Sequence, residues 1–226
     1  MLRNGVYCVA QRKVSNLEEI AMASTQMKMK PMFLPGVEEN PQPGPYAEMI
    51  RRAQESGNEY WKIWNLFAFR PEATAHLARF THAVMHEDAP LTPAQRELIA
   101  AYTSYQNECE FCAKSHAAIA AELIGNEELV WSVLRDLESA ALPENEKALL
   151  RFAGKVTHDL PSVTEADAQA LREIGWTDGQ IYYTITVCAL FNFYNRWVTS
   201  SGVPAVSHEG HRTHAQVIAR NGYVRK

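Results

Sequence analysis

The chain has 226 residues, 46% of them hydrophobic, with 22 Lys and Arg against 26 Asp and Glu and a formal net charge of -4. That apolar content suffices for a sizeable core in one domain with an extension and argues against disorder, and the mixing of acidic and basic residues leaves no patch suited to nucleic acid. No apolar run approaches the roughly 20 residues of a bilayer helix, and the N-terminus lacks the apolar stretch of a secretory signal, so the sequence reads as a soluble cytoplasmic protein without a membrane partner.

Residues 1–33 show weak periodicity and read as an N-terminal extension or arm, with Met22 and Met27 as alternative starts. "LPGVEENPQPGPYAEM" follows, whose four prolines and two glycines preclude a regular helix and suggest an ordered arm or linker. From Pro45 onward the signals are helical. "PYAEMIRRAQESG" is a short helix closed by Gly57, and Tyr60, Trp61, Trp64 and Phe67 form an aromatic stripe of core type. "PEATAHLARFTHAVMH" is expected to bury Leu77, Phe80 and Val84, with His82 and His86 as surface or interface residues. Thr92, Pro93 and Gln95 specify the start of a helix that runs to about Gln106. Asn107 with Glu110 predicts a second capping box and a new helix ending near Gly125.

Three further helices are predicted in "EELVWSVLRDLESA", "PENEKALLRFAGKVTH" and "TEADAQALREIG". Thr177 and Gln180 then open a long apolar helix that Gly202 closes. Its "FNFYNRW" segment, with Phe191, Phe193, Tyr194 and Trp197, reads as core or subunit packing, and Asn195 and Arg196 are not expected in a pocket. Cys188 reads as a small buried hydrophobe. Residues 206–226 read as a C-terminal tail, with His208, His211 and His214 in a polar or interface segment. The expected class is all-α, with the helical domain over residues 34–205.

The chemistry concentrates in "NECEFCAKSH", residues 107–116. On a helix starting after Asn107, Cys109 falls in the first turn, Cys112 one turn later and His116 a further turn along the same face. First-turn amides favour a thiolate, most strongly at Cys109, whereas His116 offers Cys112 a proton acceptor; these effects leave open which sulfur attacks. Glu97 would lie roughly 18 Å from Cys109 on one straight helix, so it reaches the thiols only if the chain reverses at Asn107. Cys109, Cys112 and His116, with Glu97 as a fourth ligand, also match zinc chemistry, although ligands crowded on one short helix do not tie distant segments together. A non-catalytic helical assembly protein is the third alternative.

"RELIAAYTSYQNECEFCAKSH" resembles the signature of the alkyl hydroperoxidase D-like branch of the carboxymuconolactone decarboxylase superfamily: a glutamate, twelve residues to CxxC, and a histidine four beyond the second cysteine. The resemblance spans about Leu34 to Val203 and includes "LPGVEENPQPGP" and "FNFYNRW". It implies a multi-helix bundle assembled as a dimer, trimer or hexamer, reducing organic hydroperoxides without a bound cofactor. By carry-over, Cys112 attacks the peroxide, Cys109 resolves the sulfenic acid, and His116 and Glu97 transfer the proton. An external lipoyl or thioredoxin-like dithiol restores the pair. One position departs: such peroxidases often carry a histidine immediately before the second cysteine, where this chain has Phe111. General disulfide exchange therefore stands beside peroxidase activity. The decarboxylase branch usually lacks the cysteine pair.

Overall fold

The computed structural model describes residues 29–223. Most of the expected N-terminal extension, with Cys8, Met22 and Met27, lies outside the described residues. Among those described, every regular element is helical: α1 Pro35–Glu38, α2 Pro45–Glu55, α3 Ile63–Phe69, α4 Pro71–Met85, α5 Pro93–Gln106, α6 Glu110–Ile124, α7 Glu127–Arg135, α8 Glu144–His158, α9 Glu165–Glu173, α10 Asp178–Ser200 and α11 His208–Asn221. No helix among the described residues is long and apolar enough to cross a membrane.

Local signals set most of these boundaries. Thr92 and Gln95 form the expected capping box on α5, and Thr177 and Gln180 form the one on α10. Gly125, at φ 76°, ends α6 in the left-handed conformation. At Gly202, with φ 72°, a Cβ would meet the Phe33 ring and backbone at 2.5 to 2.7 Å, so only glycine lets the incoming segment cross the end of α10. There Phe33 N–H donates to Ser201 C=O at 3.0 Å. The proline-rich segment contains one helical turn, α1, which the density of prolines concealed. Glu38 at its end pairs with the buried Lys62 ammonium, which also donates to Lys30 C=O at 2.7 Å. The pair pins the segment to the domain.

Helices α5 and α6 pack most extensively on each other; α11 covers α6, and α10 lies against α5 and α8. Three expectations need correction. On α4 the buried face is Thr74, Ala78, Thr81, Val84 and Met85, while Phe80 is half exposed and Leu77 only partly buried. Threonines tolerate that face because Thr74 donates to Phe67 C=O at 2.7 Å and Thr81 shares a 2.7 Å hydrogen bond with the Tyr194 hydroxyl. Second, residues 208–221 are not a tail but a helix packed on α6. Its three histidines diverge: His208 pairs with Glu127 at 2.9 Å, His211 is buried beside Ser115 and Phe111, and His214 packs against Trp61 and Trp64. Third, Asn107 does not cap α6. It closes α5, its backbone N–H donating to Thr103 C=O, and its side chain is taken by Asn192 and Asn195.

Candidate active site

The reversal between α5 and α6 is made at Glu108, whose φ of 53° is the only left-handed backbone among non-glycine residues of the described chain. Cys109 N–H returns to Ser104 C=O at 3.0 Å, and Cys109 becomes the N-cap of α6 rather than a first-turn residue. This two-residue shift matters chemically. An N-cap side chain faces the unpaired amides at the helix start, where an anion is favoured.

Cys109, Cys112 and Cys188 are buried free thiols. The Cys112 thiol, which hydrogen-bonds the Cys109 sulfur, is the largest cause lowering the Cys109 pKa to about 6; the Thr199 hydroxyl, the Cys112 backbone N–H and the Asn195 amide act in the same direction, and burial opposes them. Burial, and then the neighbouring Cys109 sulfur, push Cys112 well above the ordinary thiol range. The pair titrates as a unit, and of the two sulfurs Cys109 is the one on which a negative charge is favoured. A spectroscopic titration is expected to show one thiolate per chain appearing as pH rises through about 6. Cys109→Ser is expected to remove that transition, and its survival in the variant would place the charge elsewhere. Cys188 is a different case. Burial raises its pKa, and its thiol donates to Ala153 C=O at 3.3 Å, as suits a core residue.

Asn195 was not anticipated as a site residue. Buried on α10, it accepts from Asn107 at 2.9 Å, donates to Ser104 Oγ at 2.9 Å and hydrogen-bonds both sulfurs. It joins the end of α5 to the cysteine pair through α10. Arg196 points away, with its guanidinium on Asn192.

Glu97 and His116 come together as the reversal allows. His116 Nδ1 lies 2.7 Å from Glu97 Oε2, and both side chains are buried. A carboxylate at this nitrogen holds the proton there and leaves the lone pair on Nε2, the arrangement of a general base. The edge of Phe191, another residue not anticipated here, packs against the imidazole at 4.3 Å between ring centres. A further donor reaches Glu97 from the far end of the chain: the Tyr223 hydroxyl lies 2.5 Å from Oε1. Nothing local in the sequence signals that contact.

The two cysteines, each only 2% exposed, line different spaces. Cys112, His116 and Tyr223 line a cavity of about 70 Å³, whose other walls include Trp61, Phe111 and Phe191. Cys109 lines a more open groove of about 480 Å³ with Tyr105, Gln106, Lys114 and Trp131. Among the described residues, no group of three or more His, Cys, Asp or Glu side chains is arranged to hold a metal ion. The CxxC and His116 set is instead engaged in hydrogen bonds among its own members and with Glu97 and Asn195.

Residues 71–155, which carry Glu97, both cysteines and His116, match the carboxymuconolactone decarboxylase family. Two crystal structures share the fold. An uncharacterized peroxidase-related protein from Silicibacter sp. TM1040 superposes with a TM-score of 0.67 at 24% identity, covering 76% of this chain and 90% of that one. An alkylhydroperoxidase AhpD core protein, described as uncharacterized and peroxidase-related, from Ralstonia eutropha JMP134 gives 0.65 at 26% identity over 83% and 97%. The helical domain thus has the fold of these two AhpD-like, peroxidase-related proteins and carries the carboxymuconolactone decarboxylase family match within it. Comparison with curated proteins returned no match. Within this AhpD-like domain, Phe111 is a wall rather than a proton carrier: it is buried edge-on to Trp61 at 5.6 Å and 82°.

Proposed function

We propose that the chain is a thiol-dependent peroxidase that reduces organic hydroperoxides through Cys109 and Cys112, with no bound cofactor. The observation that carries this reading is that Cys112 and His116 line one apolar cavity, whereas Cys109 lines a different groove. Cys112 gives its proton to His116 and attacks the distal peroxide oxygen; the O–O bond breaks, the alkoxide takes a proton and leaves as alcohol, and Cys112 becomes a sulfenic acid. The Cys109 thiolate then attacks that sulfur, forming the disulfide and releasing hydroxide, which leaves as water. An external dithiol of lipoyl or thioredoxin-like type reduces the disulfide and is itself oxidised. Glu97 supports the proton transfer by holding His116.

Self-association fits the same reading. Tyr182, Ile185 and Phe193 leave an exposed apolar stripe along α10, which a homo-oligomer would cover. A second reading, general disulfide exchange, is favoured by one observation: the sulfur with the lowered pKa is Cys109, at a helix N-cap and beside an open groove.

A thiol count on the reduced, metal-analysed protein before and after one equivalent of cumene hydroperoxide separates these readings. Loss of two thiols with a 109–112 disulfide is the expected result. Thiols untouched by peroxide but oxidised by a small disulfide would favour exchange. Thiols inert to both would leave an assembly role.

A further inference from the structure

Glu97 has two carboxylate oxygens, and each has its own donor. Oε2 takes His116 Nδ1–H at 2.7 Å; Oε1 takes the Tyr223 hydroxyl at 2.5 Å, and that phenol oxygen lies 3.4 Å from His116 Nδ1. Glu97 and His116 face each other across α5 and α6, whereas Tyr223 arrives from beyond the end of α11, outside the 71–155 family match.

The seat that delivers this phenol is specific. Gly222 ends α11 at φ 68° and ψ -159°, a conformation that is essentially restricted to glycine. A Cβ there would meet the His82 ring at 2.5 Å and His86 at 2.8 Å. Tyr223 N–H donates to His82 Nδ1 at 3.1 Å, and the His82 and His86 rings lie 5.1 Å apart. The histidine pair at the end of α4, His82 in its last turn and His86 just past it, is thus the shelf on which the C-terminal segment rests. The Tyr223 ring in turn lies near-parallel to that of His116, at 6.3 Å and 24°, and forms part of the cavity wall.

We propose that Tyr223 is a positioning residue of the peroxide step. By occupying Oε1 it fixes the rotation of the Glu97 carboxylate, so that Oε2 holds His116 in the tautomer whose Nε2 takes the Cys112 proton. The role rests on the peroxidase reading and adds a third member to the Glu97–His116 relay from a helix that the sequence motif does not include. In the reductive half-reaction the attacking thiolate comes from the external dithiol and the released Cys112 takes up a proton, so His116 has no proton to remove from Cys112 before the bond breaks.

The test uses the full-length chain and two single-turnover measurements: disulfide formation on adding cumene hydroperoxide, and reduction of the preformed 109–112 disulfide by dithiothreitol. Tyr223→Phe keeps the ring and the backbone N–H and removes only the hydroxyl. It is expected to slow the first measurement about 10- to 100-fold, the scale of a misplaced catalytic group, and to leave the second within about twofold. Gly222→Ala retains the phenol but displaces its seat, and is expected to slow the same half-reaction selectively. Equal peroxide rates for Tyr223→Phe and wild type, or equal losses in both half-reactions, would overturn the role. A wild-type chain that oxidises neither cysteine with hydroperoxide overturns the peroxidase reading and this role with it.

Discussion

Cys112→Ser is expected to stop hydroperoxide consumption, with turnover falling by about 10³-fold or more, to background. The argument is one of access and chemistry together. Cys112 lines the cavity together with His116, and a serine there has no polarizable thiolate to attack an O–O bond. Cys109→Ser is expected to behave differently. Serine is among the best N-cap residues, so it suits the N-cap position of α6, and the variant retains Cys112 beside its cavity. It should complete one oxidation and stall as a sulfenic acid on Cys112, trapped by dimedone and located by peptide mass. The opposite pattern, a trapped sulfenic acid on Cys109 in the Cys112→Ser protein, would transfer the attacking role to the N-cap sulfur. The lowered pKa of Cys109 makes this a sharp contest. A thiolate is the stronger nucleophile, but only where the peroxide can reach it.

Glu97→Gln is expected to reduce the rate of Cys112 oxidation by about 10²- to 10³-fold, within the range for loss of positioned acid–base catalysis. Two donors converge on this side chain, the His116 ring and the Tyr223 hydroxyl, and a carboxylate accepts both. An amide accepts with one oxygen and presents N–H₂ to the other donor, so one hydrogen bond is replaced by a clash of protons or the imidazole turns over. Because Glu97 and His116 are buried, leaving a hydrogen-bonding group unpaired there is also expected to cost about 1 to 3 kcal/mol of stability. Denaturant unfolding of the reduced protein checks the second effect, and stopped-flow thiol oxidation the first. An unchanged oxidation rate alongside the stability loss would reduce Glu97 to a structural role.

The parts of the fold legible in the sequence were those written locally. Thr92 with Gln95 and Thr177 with Gln180 each satisfy helix-end amides within four residues, so pattern and structure coincide. Asn107 with Glu110 has the same spelling and a different outcome. Its amide is claimed by Asn192 and Asn195, 85 and 88 residues away, and no local pattern reports that competition. The buried face of α4 was misplaced for a similar reason: Thr74 and Thr81 look polar in sequence but spend their hydroxyls on Phe67 and Tyr194. In the site, helix spacing put Cys109, Cys112 and His116 on one stripe, whereas Glu97 was singled out by the resemblance to the AhpD-like signature and reaches His116 only because the chain reverses after α5. Asn195, Phe191 and Tyr223 were not legible, because each enters from a C-terminal helix or its end and carries no spacing relation to the motif.

The separate spaces lined by Cys112 and Cys109 carry a consequence for how a catalyst of the proposed kind would diversify. On the peroxidase reading, oxidant choice would be set by the walls of a small aromatic chamber, and reductant choice by an outer surface carrying Trp131, Lys114 and Tyr105. For a peroxidase built this way, electrons enter through one doorway and leave through another. Drift in the outer surface can match the enzyme to a new donor without retuning the peroxide it accepts, and a chamber substitution can alter the peroxide without uncoupling the donor. The two preferences are inherited on separate residues of one short helix and its neighbours, free to change one at a time.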